Sequence, residues 1–374
     1  MELSTAVWGG LATRPVSTEL VEDSEAWDSL VCRVVGGNIL QSFQWGEFKS
    51  RAGWSPVRVA LYRSGVPVVA AQFLFRSSPI GRIAYVPRGP IVADGEEALL
   101  PDFFDEVHRI ARRMGAFYLK VEPEWPDRPE SVQQISVLGF RPSDPIQPRS
   151  TLLLDLRVEE GALAASLNPR TRYNIGLAAR RGVEVSVVGE NELEEFYRLL
   201  EGTSNRSHFP IHSLDYYQSL WKSLAPRGQA HLLTARYQGE TLSTVMLLTM
   251  GTSAYYMYGG SSTNHRNLKP SDLLQWEAIR WAKKQGCQTY DFWGIPDEVG
   301  RQVTARQDAQ IDVSTGARAD PSRDLWGVYQ FKRGFGGQPV RYVGAWDYVY
   351  SQNRYWLWHA MLPRVRSLAA RVEL

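Results

Sequence analysis

The stretch Phe331-Lys332-Arg333-Gly334-Phe335-Gly336-Gly337 sets two aromatic rings and two cations among three glycines. Glycine lets the backbone take positive φ or pass close to a ligand. Ammonium and guanidinium groups avoid burial without a partner. Together they point to a substrate that is anionic or becomes so as it reacts; the alternative is a glycine-kinked strand with two solvated cations. Two flanking segments favour chemistry. Upstream is the aromatic, strand-like run Tyr290-Asp291-Phe292-Trp293-Gly294-Ile295, broken by Gly294, and downstream is Arg341-Tyr342-Val343-Gly344-Ala345-Trp346-Asp347.

Other residues carry weaker signals. Lys49 ends a short amphipathic element, expected to be helical, in which Phe43, Trp45 and Phe48 alternate with polar groups. Tyr256 and Tyr258 fall on one strand face by alternation, which periodicity alone reads as packing. Glu159 to Arg181 is helical in pattern and carries Arg170, Arg172, Arg180 and Arg181, with no acid from Gly161 through Gly182. That is either a solvated face or a phosphate-binding one.

The elements that must position these groups come in two sets. A chain of 374 residues fits two compact domains. The first set is a strand at Val57–Leu61, a Ser64-Gly65 turn, a strand at Val66–Phe75, a strand at Ile83–Val86, a helix over Leu99–Met114 and a strand at Gly115–Glu122. The second repeats it: strands at Leu232–Tyr237 and Leu242–Thr249 about a Gln238-Gly239 turn, a strand at Ala254–Tyr258, a helix over Leu273–Lys284 and a strand at Gly286–Trp293. The turn glycines Gly65 and Gly239 are 174 positions apart, and the helix-ending glycines Gly115 and Gly286 are 171 apart. This shared offset reads as two copies of one α/β (α+β) module packed side by side. The expected division is residues 1–151 plus 341–374 for the first domain and 152–340 for the second. Arg341–Trp346 is expected as a strand returning to the first, Thr151–Leu156 as a buried strand at the handover, and Asp297–Asp324 as a long loop.

Composition excludes several classes. Hydrophobic content of 44% with 22% charge is that of a soluble globular protein. A net charge of +2 leaves no global field for polyanions, so any nucleic-acid contact must be a local patch. Two distant cysteines without a CxxC pair, and six histidines without HExxH, argue for a reducing compartment and against a structural zinc. No apolar run is long enough to span a membrane, and a cytoplasmic monomer is expected. Thirteen tryptophans and seventeen tyrosines exceed a core's needs and suit a groove for a large ligand.

The module order suggests an acetyltransferase-type (GNAT) fold, whose acyl-CoA site needs a glycine-rich turn of free N–H groups at a helix start. Here that turn is Asn267-Leu268-Lys269-Pro270-Ser271-Asp272, with no glycine, one missing N–H and an acid. The equivalent turn in the first module, residues 88–97, is also acidic. A donor other than CoA is favoured, and no metal or other cofactor is expected.

At this point the motifs Gln44-Trp45-Gly46-Glu47-Phe48-Lys49, Tyr85-Val86-Pro87-Arg88-Gly89-Pro90, Arg170-Thr171-Arg172-Tyr173-Asn174-Ile175, Tyr256-Met257-Tyr258-Gly259-Gly260, Tyr290–Gly294 and Phe331–Gly336 resemble, in this order, the FemABX family of peptidoglycan-bridge aminoacyltransferases. The resemblance runs from about Gln41 to Trp346. It implies two GNAT-like domains with a cleft between them, aminoacyl-tRNA as co-substrate, and a UDP-linked or lipid-linked muramyl-pentapeptide as acceptor, the latter met at the inner-membrane surface. Without a heptad run, the chain resembles the smaller members that lack a coiled-coil arm. By the resemblance Lys332, beside Phe331, sits at the reacting ester. Lys49 binds acceptor phosphates, and Tyr216, Tyr256 and Tyr258 bind the acceptor. His212 stands where an arginine is expected, and Glu122 where members often have an aspartate. Arg170, Arg172, Arg180, Arg181 and Arg333 are the candidates for tRNA phosphates.

Overall fold

The structure, a computed structural model, describes residues 16–207, 209–305 and 323–369. In both halves the same local chemistry builds the same unit. Trp54–Arg63 and Val66–Ser78 form a hairpin, as do Ala230–Tyr237 and Glu240–Met250. Each turns through two left-handed residues, Ser64 and Gly65 in one and Gln238 and Gly239 in the other, the backbone that matches the twist of paired strands. An antiparallel strand follows in each, Gly81–Pro87 and Ser253–Ser261, then a helix, Leu100–Arg113 and Pro270–Lys284. Each unit closes on a strand parallel to the last, Ala116–Glu122 and Thr289–Gly294. The helices stop at Gly115 and Gly286, both left-handed (φ +75° and +86°).

Two sheets result. The first runs Val16–Leu20, Trp54–Arg63, Val66–Ser78, Gly81–Pro87, Ala116–Glu122, Ala345–Val349, Arg141–Ser143, with Ile91–Val92 added to Val66–Ser78. The second runs Gln338–Arg341, Ser150–Asp155, Thr289–Gly294, Ser253–Ser261, Glu240–Met250, Ala230–Tyr237, Glu184–Val188. One face of the first packs on Leu100–Arg113 through Leu100, Phe103, Phe104, Val107 and Ala111, at helical spacing. One face of the second packs on Pro270–Lys284 and the turn at Phe335. The third core joins the halves: Trp27, Leu30, Trp45 and Phe48, from helices near the amino terminus, pack with Phe196, Tyr217, Leu232 and Met246. What the sequence suggested as a cleft between modules is therefore in part a shared core.

Three expectations are corrected. Arg341–Trp346 is not one strand: Gln338–Arg341 pairs with Ser150–Asp155 in the second sheet, Tyr342 to Gly344 cross over, and Ala345–Val349 pairs with Ala116–Glu122 in the first. The segment read as a long loop begins as a helix, Asp297–Ala305, and ends in another, Arg323–Arg333; residues 306–322 lie outside the described residues. Gly300 lies within the first of these helices. A Cβ there would meet Ser150 Oγ at 2.2 Å, so the glycine is present for close helix–strand packing. The Glu159–Arg181 stretch is two helices, Glu160–Ser166 and Pro169–Arg180, divided at Leu167 and Asn168.

Candidate active site

Lys49 is placed by its own motif. Ser42 caps the helix Phe43–Arg51 by accepting from Trp45 N at 3.1 Å. The helix rests on Arg58, whose Nε donates to Gln72 Oε1 at 2.8 Å and whose Nη2 donates to Phe43 O and Glu47 Oε1 at 3.0 Å each. Gly46 makes this approach possible, since a Cβ there would lie 2.2 Å from Gln72 Oε1. Trp45 and Phe48 are buried, and Lys49 follows them with its ammonium 5.0 to 5.2 Å from the rings of Trp45, Phe48 and Tyr216. Its Nζ donates to Tyr216 Oη at 3.4 Å. Burial, then Arg76, pull its pKa down to about 8. His212 stacks on Tyr216 at 3.7 Å, and burial with the Lys49 charge lowers its pKa to about 4, leaving it neutral at pH 7. Tyr258 lies in the same group, its ring 5.1 Å from Tyr217.

Tyr256 does not. Met246 pairs with Tyr258 and Leu247 with Tyr256, so Met257 is an extra residue in the Ser253–Ser261 strand. This bulge sends Tyr256 and Tyr258 to opposite faces, against the alternation read from the sequence. Tyr256 packs instead on the core beneath Pro270–Lys284, with its ring 5.7 Å from the Lys332 ammonium. The expected cluster is thus two groups, one on each face of a single strand.

Lys332 is not on a strand or in a bend. It occupies the last turn of the Arg323–Arg333 helix, where a cation complements the helix dipole, and it is 6% exposed. Its seat is an opening in the second sheet. The parallel strands Ser253–Ser261 and Thr289–Gly294 pair only through Ser253, Ala254 and Tyr255 against Thr289, Tyr290 and Asp291. Beyond Asp291 the second strand turns away, with Trp293 at φ +62°. Lys332 Nζ donates to two backbone carbonyls there, Gly294 O at 2.7 Å and Trp293 O at 3.4 Å. Burial lowers its pKa to about 7, and Asp291 opposes that shift. Asp291 is itself buried and accepts from Thr151 Oγ1 and from Trp293 N. Phe331 packs on Phe335, with ring centroids 5.2 Å apart.

The glycines after Lys332 are needed for approach. A Cβ on Gly334 would stand 2.2 Å from Thr171 Oγ1, and Asn168 N donates to Gly334 O at 2.9 Å, which ties the start of the Pro169–Arg180 helix to the lysine's own turn. Arg170 and Arg180 on that helix and Arg181 at its C-cap are exposed, as is Arg333 next to Lys332. Arg172 donates from Nη2 to Ala165 O and Leu167 O, so it caps the preceding helix. Tyr173, part of the Arg170–Ile175 motif but given no role from the sequence, is 62% exposed between these arginines. Glu122 does not join the Lys49 group: its carboxylate accepts from the Tyr85 hydroxyl and from the amides of Ile146 and Gln147, and so fastens the loop that leads into the second sheet. The helix start at Pro270 presents Asp272, whose carboxylate accepts from Asn174 Nδ2 at 3.0 Å.

The FemAB family profile matches residues 24–139, and the acetyltransferase (GNAT) domain profile matches residues 169–299. A Lipid II:glycine glycyltransferase of Staphylococcus haemolyticus is 23% identical over 422 residues, spanning 92% of this chain and 96% of the relative. The solved structure of FemX superposes with a TM-score of 0.79 at 22% identity, covering 91% of this chain and 99% of that one. These matches support the resemblance to the FemABX family carried by the motifs. A more distant likeness, L-PGS from Bacillus licheniformis, has a TM-score of 0.51 at 14% identity over 94% of this chain and 96% of that one. The fold of two GNAT-like modules read from the repeat agrees with these matches. Among the described residues no helix is long and apolar enough to cross a membrane.

Proposed function

We propose that this chain, an acyltransferase as its named relatives are, moves an aminoacyl group from tRNA onto the side-chain amine of a peptidoglycan-precursor stem peptide. The observation that carries the reading is the buried Lys332 ammonium in the opening between Ser253–Ser261 and Thr289–Gly294. An aminoacyl ester is already activated, so the amine can attack directly. Its nitrogen bonds to the carbonyl carbon, the ribose oxygen leaves with a proton, and the carbonyl oxygen carries the negative charge in between. A positive donor fixed in a dry site stabilises that oxyanion, typically by about 3 to 4 kcal/mol. Lys332 is this donor, and Phe331 packs beside it.

The acceptor binds on the Lys49 side, where the ammonium, Tyr216 and Tyr258 meet phosphate and sugar and His212 backs Tyr216. The donor enters on the Tyr256 side, and the two meet through the open seam. Arg170, Arg180, Arg181 and Arg333 contact tRNA phosphates, with Tyr173 placed to stack on a base. The acidic helix start at Asp272 supports a donor without a CoA pyrophosphate. Action in the cytoplasm, on a lipid-linked or UDP-linked precursor, follows from this reading.

The test is purified protein with a pool of charged tRNAs and each precursor, followed by product mass. The reading predicts a gain of one or more aminoacyl residues that disappears when RNA is omitted. Acetylation from acetyl-CoA without RNA, and no aminoacyl product, would overturn it.

A further inference from the structure

Arg88 is a charged side chain only 2% exposed, and it follows the Gly81–Pro87 strand of the first sheet with φ +53°. A non-glycine residue keeps such a conformation only where its surroundings enforce it. Its guanidinium lies 5.0 Å from the ring centroids of both Trp293 and Tyr342, and Nη2 donates to Pro148 O at 2.9 Å. Glu124 Oε1 stands 3.5 Å from Arg88 Nε, and Asn38 Nδ2 holds the other oxygen of Glu124 at 2.8 Å. Nε itself has no hydrogen-bond partner among the described residues. Burial opposes the guanidinium charge, but Glu124, Tyr342, Asp291 and Glu122 outweigh it.

A buried ion pair is a poor source of stability, and well-packed apolar residues of similar volume often do better. Its position supplies another reason for its presence. Trp293, the second left-handed residue at this junction, is the residue whose carbonyl, with that of Gly294, holds Lys332. Arg88 comes from the first sheet and Trp293 from the second.

We propose that Arg88 is a positioning residue for the transfer reaction: stacked on Trp293, it fixes the backbone turn whose carbonyls seat the Lys332 ammonium. The first module thereby takes part in the chemistry of the second. The proposal rests on the role given to Lys332 above, and its test is chosen to separate the two.

Arg88→Met keeps length and apolar bulk, and Arg88→Lys keeps charge but loses the planar fork that stacks on rings. Single-turnover transfer, acceptor KM, thermal melting and the NMR titration of Lys332 are measured on the full-length variants. Arg88→Met is expected to lower kcat about 10-fold or more with KM within about 2-fold, and Arg88→Met/Glu124→Gln to recover part of the loss by removing the unpaired carboxylate. The groups facing the Lys332 ammonium are the Trp293 and Gly294 carbonyls, Asp291 and the neutral Tyr256 ring, so a Trp293 turn loosened by Arg88→Met withdraws carbonyls from the ammonium and moves the Lys332 titration down from about 7. Lower melting with unchanged kcat and an unchanged Lys332 titration would mean a purely structural role and overturn the proposal. If Arg88→Met does not fold, Arg88→Lys decides: a wild-type kcat and titration there also overturn it. If wild-type protein transfers nothing, the functional reading fails first, and the Lys332 titration in Arg88 variants still tests the positioning.

Discussion

The two modules share an order of elements but differ at one seam. In the first, the parallel strands stay paired to their ends, from Arg82 opposite Ala116 through Pro87 opposite Glu122. In the second, pairing stops after Tyr255 opposite Asp291. At the end of the closed seam a neutral amide, Gln41 Nε2, donates to Pro87 O, and Glu122 on Tyr85, Ile146 and Gln147 fastens that end. In the open seam the carbonyls of Trp293 and Gly294 take a charged donor instead, the buried Lys332 ammonium. One unit, used twice, serves as scaffold in one place and, in the function proposed above, as reaction site in the other. A bulge at Met257 and a left-handed Trp293 account for the difference.

The largest effect should come from filling the second module's tight side. A Cβ on Gly260 would lie 2.4 Å from the backbone of Leu199 and Leu200, atoms that cannot rotate away. Gly260→Ala is expected to cost about 3 kcal/mol by urea unfolding, as overpacking a fixed site does. A loss under about 1 kcal/mol would mean that this side of the open strand is looser than described.

Lys49→Ala comes next. It should raise acceptor KM about 10-fold, or about 1.4 kcal/mol, with little change in the dependence on tRNA. An unchanged acceptor KM would remove Lys49 from the site and leave the Tyr258 face with packing alone.

Gly115→Ala and Gly286→Ala probe what the modules have in common. Both positions are left-handed and neither Cβ would meet anything within 4 Å, so each change should cost about 1 kcal/mol and by nearly the same amount. Unequal losses would break the equivalence of the two units.

A further effect is on pH. Burial lowers the folded-state pKa of Lys332 to about 7, below its ordinary value near 10.5. Between those values the unfolded chain binds more protons, so this lysine makes stability rise with pH from about 7 toward 10.5, by up to about 1.4 kcal/mol per unit. Transfer that depends on its ammonium should fall over the same range. Lys332→Met should flatten the stability slope; a slope identical to wild type would mean that Lys332 titrates normally.

The fold was legible because its signals are local: paired left-handed turn residues, helix-ending glycines and apolar periodicity recur at a fixed offset. The shared amino-terminal core was not, since Trp27 and Met246 meet only through tertiary packing. At the site, Lys332 and Lys49 stood out as cations among aromatics. The split between Tyr256 and Tyr258 was hidden because a bulge adds a residue without changing sequence alternation. Gly300 and Gly334 illustrate the same limit, for a glycine demanded by close packing resembles one that breaks a helix until its neighbour is known. Arg88 was passed over because its partners, Trp293 and Tyr342, lie some two hundred residues or more away in sequence.

The central claim is that the open seam seats a lysine that acts in the transition state. Single-turnover transfer at saturating acceptor and acceptor binding, measured on one preparation of Lys332→Ala, test it most directly. The account predicts a rate about 10²-fold lower or more with acceptor affinity nearly intact, and only partial rescue by Lys332→Arg. A normal single-turnover rate with collapsed acceptor binding would make Lys332 a binding residue and contradict the account.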